Sequence, residues 1–139
     1  MAIDMDTIGV PGLLFPFVTH SIETGIIQAD KAEKGGFGLW GKIGEPGKVY
    51  PAKPESDSVL LGIAQFTQCH YEYKAGDEVN VVKKGRVWVK VSGEVLANQP
   101  AYITPAGAIT ATASGNEALS GATFKSDASD GKLAELEIA

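Results

Sequence analysis

The chain has 139 residues, enough for one domain with a modest core, and its 44% hydrophobic and 21% charged content is that of an ordinary folded protein. With 12 basic residues against 17 acidic ones the formal net charge is −5, which argues against a nucleic-acid partner because phosphate binding needs a basic stripe. A single cysteine, Cys69, excludes an intrachain disulfide framework and points to a reducing compartment.

From the N-terminus, Asp4 and Asp6 occur without an early Lys or Arg, so no basic signal-peptide region is expected, and no apolar run reaches membrane-span length. Residues 8 to 18, "IGVPGLLFPFV", are apolar but interrupted by Pro11 and Pro16, which forbid a helix and favour an extended path. Two readings stay open for this segment: a first strand of the core, or an arm that docks on a neighbouring subunit through Leu13, Leu14, Phe15, Phe17 and Val18. The second divides the chain into an extended arm, residues 1–18, and a single β-domain, residues 19–139.

Glycine, proline and charge dominate residues 7 to 57, where short strands are expected at Gly38 to Ile43 and Lys48 to Pro51. Ser58 to Phe66, "SVLLGIAQF", predicts a central strand buried on both faces. Next, Glu78–Lys83 and Arg86–Ser92 predict a hairpin, with Val87, Val89 and Val91 on one face and Arg86, Trp88 and Lys90 on the other. Ala101–Thr104 and Ala108–Thr112 predict a second hairpin, offset from the first by 22 residues. At that offset Val79 falls on Ala101, Val81 on Ile103, Gly85 on Gly107, Val87 on Ile109 and Val89 on Ala111. Ala122–Phe124 and Leu133–Ile138 predict a last pair around an Asp130-Gly131 turn. Helix signals are nearly absent. The expected fold is therefore all-β, a small barrel or sandwich built from consecutive hairpins, with Leu61, Ile63, Val81, Val87, Val89, Leu136 and Ile138 in its core.

Residues able to do chemistry are sparse. Cys69, His70 and His20 do not make a zinc ligand set, and there is neither a G-x-S-x-G elbow nor a P-loop. In "SDASDGKLAELE" the calcium-loop register puts Ser126 and Ala128 where carboxylates belong, so a hairpin turn explains the stretch better. Neither metal nor cofactor is expected, and no enzymatic activity. Asp30-Lys31-Ala32 matches the tripeptide of lipoyl carrier domains, which makes Lys31 a minor alternative to a solvated polar turn. Trp88 between Arg86 and Lys90 suits a protein-interface anchor or a sugar platform, or else a tryptophan covered by the N-terminal third with its neighbours reaching outward. Packing or interface is the preferred reading.

The Ala75-Gly76-Asp77 turn, "VKKGRVWVKVSG" from Val82 to Gly93, "NQPAYI" and the closing "GATF…LAELEI" resemble the structural cement (decoration) proteins of tailed bacteriophage capsids. The similarity covers residues 59 to 139 well and the N-terminal third loosely. Asn98-Gln99 stands where that family usually keeps Gly-Asp, a small departure because Asn tolerates the turn. The resemblance implies a non-enzymatic virion protein, made in the host bacterial cytoplasm. Such a protein binds the outer surface of the head, bridges major capsid subunits and self-associates as a dimer or trimer, without nucleic acid or membrane. On that reading the candidate interface is Leu13, Leu14, Phe15, Phe17, Val18, Arg86, Trp88 and Lys90. A β-sandwich carbohydrate-binding or adhesin-type module is the alternative, with the lipoyl carrier third.

Overall fold

A computed structural model describes Pro11, residues 21–66 and residues 72–139. The described residues form nine strands: β1 (Ser21–Ile27), β2 (Gly38–Lys42), β3 (Lys48–Val49), β4 (Ser58–Ala64), β5 (Glu78–Lys90), β6 (Pro100–Ile103), β7 (Ile109–Thr110), β8 (Glu117–Phe124) and β9 (Leu133–Ile138). They hydrogen-bond in the order β2-β4-β5-β9-β8-β6-β7, with β1 paired to both β5 and β3. The result is an all-β, nearly closed and mainly antiparallel barrel.

β5 organises it. The expected first hairpin is instead this one continuous 13-residue strand. Gly85 is not a turn tip. It has φ of 124° at the point where β5 leaves one set of partners for another. Residues before it pair with β1 and β4, from Ser21↔Lys84 to Ala64↔Val81. Residues from Gly85 to Lys90 pair with β9. A positive φ is as easy for glycine in a kink as in a turn, and the sequence pattern does not distinguish the two.

The sheet curls back on β5 from both ends. On one side β2 returns toward β3 through the Trp40↔Tyr50 bridge; on the other, β7 returns through a parallel Val91↔Ile109 bridge. Each curl encloses its own apolar cluster. The first holds Ile27, Phe37, Leu39, Val49, Tyr73, Val79 and Val81. The second holds Val87, Val89, Ile103, Ile109, Phe124, Leu136 and Ile138, joined by Trp40, Ile63 and Val82. Consecutive strand residues point to opposite faces, so Val81 serves one cluster and Val82 the other. Of the expected core, Ile63, Val81, Val87, Val89, Leu136 and Ile138 are buried, while Leu61 is only partly so. β4 is a central strand as expected, between β2 and β5, but it is not buried throughout: only Gly62, Ile63 and Ala64 are fully enclosed. At Gly62 an added Cβ would collide with the Val82 carbonyl oxygen, so this crossing of β4 and β5 requires glycine.

The 22-residue offset marks a true structural repeat, centred on the turns before β5 and β6. Gly76 and Asn98 both take positive φ, 97° and 74°. Asp77 Oδ2 accepts from the Lys74 amide at 2.8 Å, as Gln99 Oε1 does from Leu96 at 2.8 Å. Asp30 Oδ1 accepts from Ala75 N at 2.8 Å, and Asp127 Oδ1 from Ala97 N at 2.7 Å. The Gly76 amide donates to Ile27 O at 2.8 Å and the Asn98 amide to Phe124 O at 2.7 Å. Asp30 follows Ile27 by three residues, as Asp127 follows Phe124. The order differs: the strand supplying the aspartate precedes its turn in one half and follows it in the other. The second expected hairpin is real, with Ile103↔Ile109 paired across Gly107, whose φ is 91°.

Candidate interaction surface

Arg86, Trp88 and Lys90 lie on the face of β5 opposite Val87 and Val89, as the alternation predicted. They do not form one platform. Arg86 Nε donates to Glu137 Oε2 at 2.8 Å across the β5–β9 pair, and Lys125 Nζ stands 3.9 Å from Glu137 Oε1. The Arg86 hydrogen bond holds the Glu137 carboxyl below its ordinary range, against a smaller opposing effect of desolvation. Trp88 is only 6% exposed yet belongs to neither apolar cluster. An aromatic enclosed by its own chain offers a partner little area, so of the readings left open for Trp88 its burial favours packing. Lys90 is exposed. Leu13, Leu14, Phe15, Phe17 and Val18 lie outside the described residues, as do His20, Cys69 and His70.

Pro11, the one described residue of the N-terminal segment, sits at a pocket of about 270 Å³ lined by Glu33, Lys34, Gly35, Phe66 and Lys90. Gly35 is buried. A Cβ there would lie 2.7 Å from Phe66 Cα and 2.9 Å from the Pro11 carbonyl oxygen, so the absence of a side chain admits both backbones.

Lys31 is not presented on a hairpin tip. It bridges to Tyr73, its amine donates to Ala106 O at 3.0 Å, and it lies 5.3 Å over the Phe37 ring. A carrier lysine must swing freely; this one is fastened between the two halves of the barrel. The acidic loop near residue 130 is equally occupied. Asp127 closes the Ala97 turn, Asp130 Oδ1 accepts from Gly93 N at 2.6 Å, and Ser126 Oγ accepts from Glu135 N at 3.0 Å. Among the described residues no three His, Cys, Asp or Glu side chains gather as a metal site.

One surface escaped the sequence reading. Ile22, Ile26, Ile43 and Val59 are exposed on β1, the β2–β3 turn and β4. These elements border a slot of about 460 Å³ whose walls include Thr24, Gly25, Gly41, Pro46, Val59 and Leu61. Ile43 is 73% exposed, on a turn where Gly44 and Gly47 take φ of 84° and 76°. Glu45 stiffens that turn. It accepts the Tyr50 hydroxyl at 2.7 Å and stands 3.9 Å from Lys42 and 3.8 Å from Lys48. The hydrogen bond to Glu45 raises the Tyr50 pKa above its ordinary value. The expected strand Gly38 to Ile43 ends one residue earlier, at Lys42, which leaves Ile43 on the turn facing solvent.

The barrel defines a class: an all-β module whose acids close turns and some of whose apolar side chains are the exposed oddity. The chain belongs to the family described as structural cement protein (E217 gp24/Pam3 gp6), which it matches over residues 4–139. It is a phage capsid cement protein, a non-enzymatic component of the virion capsid. Among solved structures it is similar in fold to a chain of the capsid of Myoviridae phage XM1, at 16% identity and a TM-score of 0.73, covering 93% of this chain and 89% of that one. It is also similar to the head fiber gp8.5 N base of bacteriophage phi29, at 11% identity and a TM-score of 0.51, covering 87% of this chain and 95% of that one. No curated protein matches the chain.

Proposed function

We propose that the protein binds the outer surface of the assembled head and bridges neighbouring major capsid subunits, stabilising the shell. The family match across nearly the whole chain carries this reading. Exposed apolar side chains give it a physical basis, since Ile22, Ile26, Ile43 and Val59 remain exposed in the lone chain. A cement protein does not need high affinity per copy. Modest contacts repeated on symmetry-related sites add up across the shell. We assign attachment to those exposed apolar side chains and to the N-terminal apolar residues Leu13, Leu14, Phe15, Phe17 and Val18, with Arg86 and Lys90 as flanking charges and Trp88 supporting them from inside. Copies pair or form trimers at the sites they bridge. An aromatic sugar platform has less support, because Trp40, Tyr73 and Trp88 are all buried.

The test uses heads that lack the protein. Purified full-length protein is added, the heads are sedimented, and bound protein and head melting temperature are measured. Saturable binding with a raised head melting temperature is expected. Protein left in the supernatant at every concentration would overturn the proposal.

A further inference from the structure

We propose that the outer edge of β1 receives an extended strand of the major capsid subunit, with one apolar side chain of that strand entering the slot beside the edge. This deepens the attachment reading above and rests on it. The backbone of β1 alternates. Ile27 N donates to Asp77 O at 2.9 Å on the β5 side, whereas Ile26 N donates to Gly47 O at 2.8 Å and Gln28 N to Val49 O at 2.9 Å on the β3 side. The same alternation turns the N–H and C=O of Ile22 and Thr24 away from β5. β3 pairs only with Ile26 and Ile27, so among the described residues Ile22 and Thr24 have no backbone partner on that edge. Such an edge is completed by another strand.

Both faces of an added strand are provided for. Its side chains alternate, one lying beside the exposed Ile22 and Ile26, the next entering the slot of about 460 Å³. Glu23, Thr24 and Gly25 of β1 border that slot together with Gly41, Val59 and Leu61. Its charged groups are already matched: Glu45 stands within 4.0 Å of both Lys42 and Lys48, and Glu23 lies 3.5 Å from Lys83. An uncharged, apolar side chain is therefore what the slot accepts. A second copy of β1 is the wrong occupant. It offers Ser21, Glu23 and Gly25 to the slot side, and pairing Ile22 with Thr24 would set Glu23 against Glu23. A different chain is needed, and on a head that chain is the capsid subunit.

Thr24→Pro removes the outward N–H and obstructs an added strand, yet spares the bonds to β5, because proline is tolerated at an edge whose N–H faces outward. Thr24→Val keeps the N–H and loses, as the proline does, the hydroxyl bond to Asn80. In sedimentation with undecorated heads, Thr24→Val should bind like the parent and Thr24→Pro about tenfold more weakly, with both variants folded by circular dichroism. In the parent, deuterium exchange read residue by residue should find the Ile22 and Thr24 amides fast in free protein and slow on heads. Equal binding by the two folded variants, or no slowing on heads, overturns the inference. So do amides already slow in dilute protein, where the chain covers its own edge, or slowed by concentration alone, where a second copy does. If Thr24→Pro does not fold, the exchange result decides. Parent protein that fails to sediment with heads is a different result: it removes the attachment reading, and this inference with it.

Discussion

Replacing Val89 with aspartate tests the core assignment most sharply. Val89 is fully buried in the second cluster and pairs with Ala134 on β9. Losing the valine side chain forfeits about 1.5–2 kcal/mol of apolar burial. The carboxyl then has no water around it. It stays protonated in the folded state at neutral pH, and holding an acid of ordinary pKa 3.9 neutral at pH 7 costs about 4 kcal/mol. Together that is about 6 kcal/mol, comparable to the whole stability of a small domain. The sign with pH follows from the raised folded pKa: the proton-binding state is the folded one, so the deficit relative to the parent shrinks as pH falls from 7 toward the unfolded pKa near 4. Urea denaturation of parent and variant at pH 7 and pH 4.5 measures both quantities. Lys90→Asp, next in sequence but exposed, is the control and should cost little. A Val89→Asp protein that unfolds with the parent, or whose deficit is the same at both pH values, would show that Val89 does not face the core.

Three further outcomes are expected. Asn98→Ala should lose about 1 kcal/mol because its φ of 74° is left-handed, whereas Asn98→Gly should be close to neutral, both read from melting temperature. Arg86→Met should flatten the acid limb of the stability curve: Glu137, with its pKa lowered by Arg86, contributes stability above the unfolded carboxylate pKa that is lost as pH falls through the lower folded value. Deleting residues 1–18 should leave a cooperative β-sheet transition while weakening sedimentation with heads; unfolding of the domain would make the segment a core strand instead.

How much was legible differs element by element. β9 was readable to the residue, because "LAELEI" alternates cleanly and follows an Asp-Gly turn. β1 was not. Most of "SIETGII" is exposed, so its strand character comes from its pairing with β5 and not from its own pattern. The 22-residue offset was visible through matched faces, and Asn98 takes the left-handed turn expected of it. What those residues could not reveal is that one copy runs straight through Gly85. That depends on β1 and β9, which approach from the two distant ends of the chain. The interface candidates divide in the same way. Alternation placed Arg86, Trp88 and Lys90 on one face correctly, but burial of Trp88 is a tertiary fact. Ile43 was overlooked because it was expected as the last residue of a strand, whereas β2 ends at Lys42 and the turn holds the side chain outward.

The continuous β5 has a mechanical consequence. Both halves of the barrel hang on one covalent strand, so a pull on the first half reaches the second along peptide bonds and not across a soft boundary. Separating the halves would require shearing the β1–β5 and β5–β9 ladders lengthwise, several hydrogen bonds at once, instead of peeling them one by one. A strand stitched into both halves thus carries tension between them as a tie-rod does.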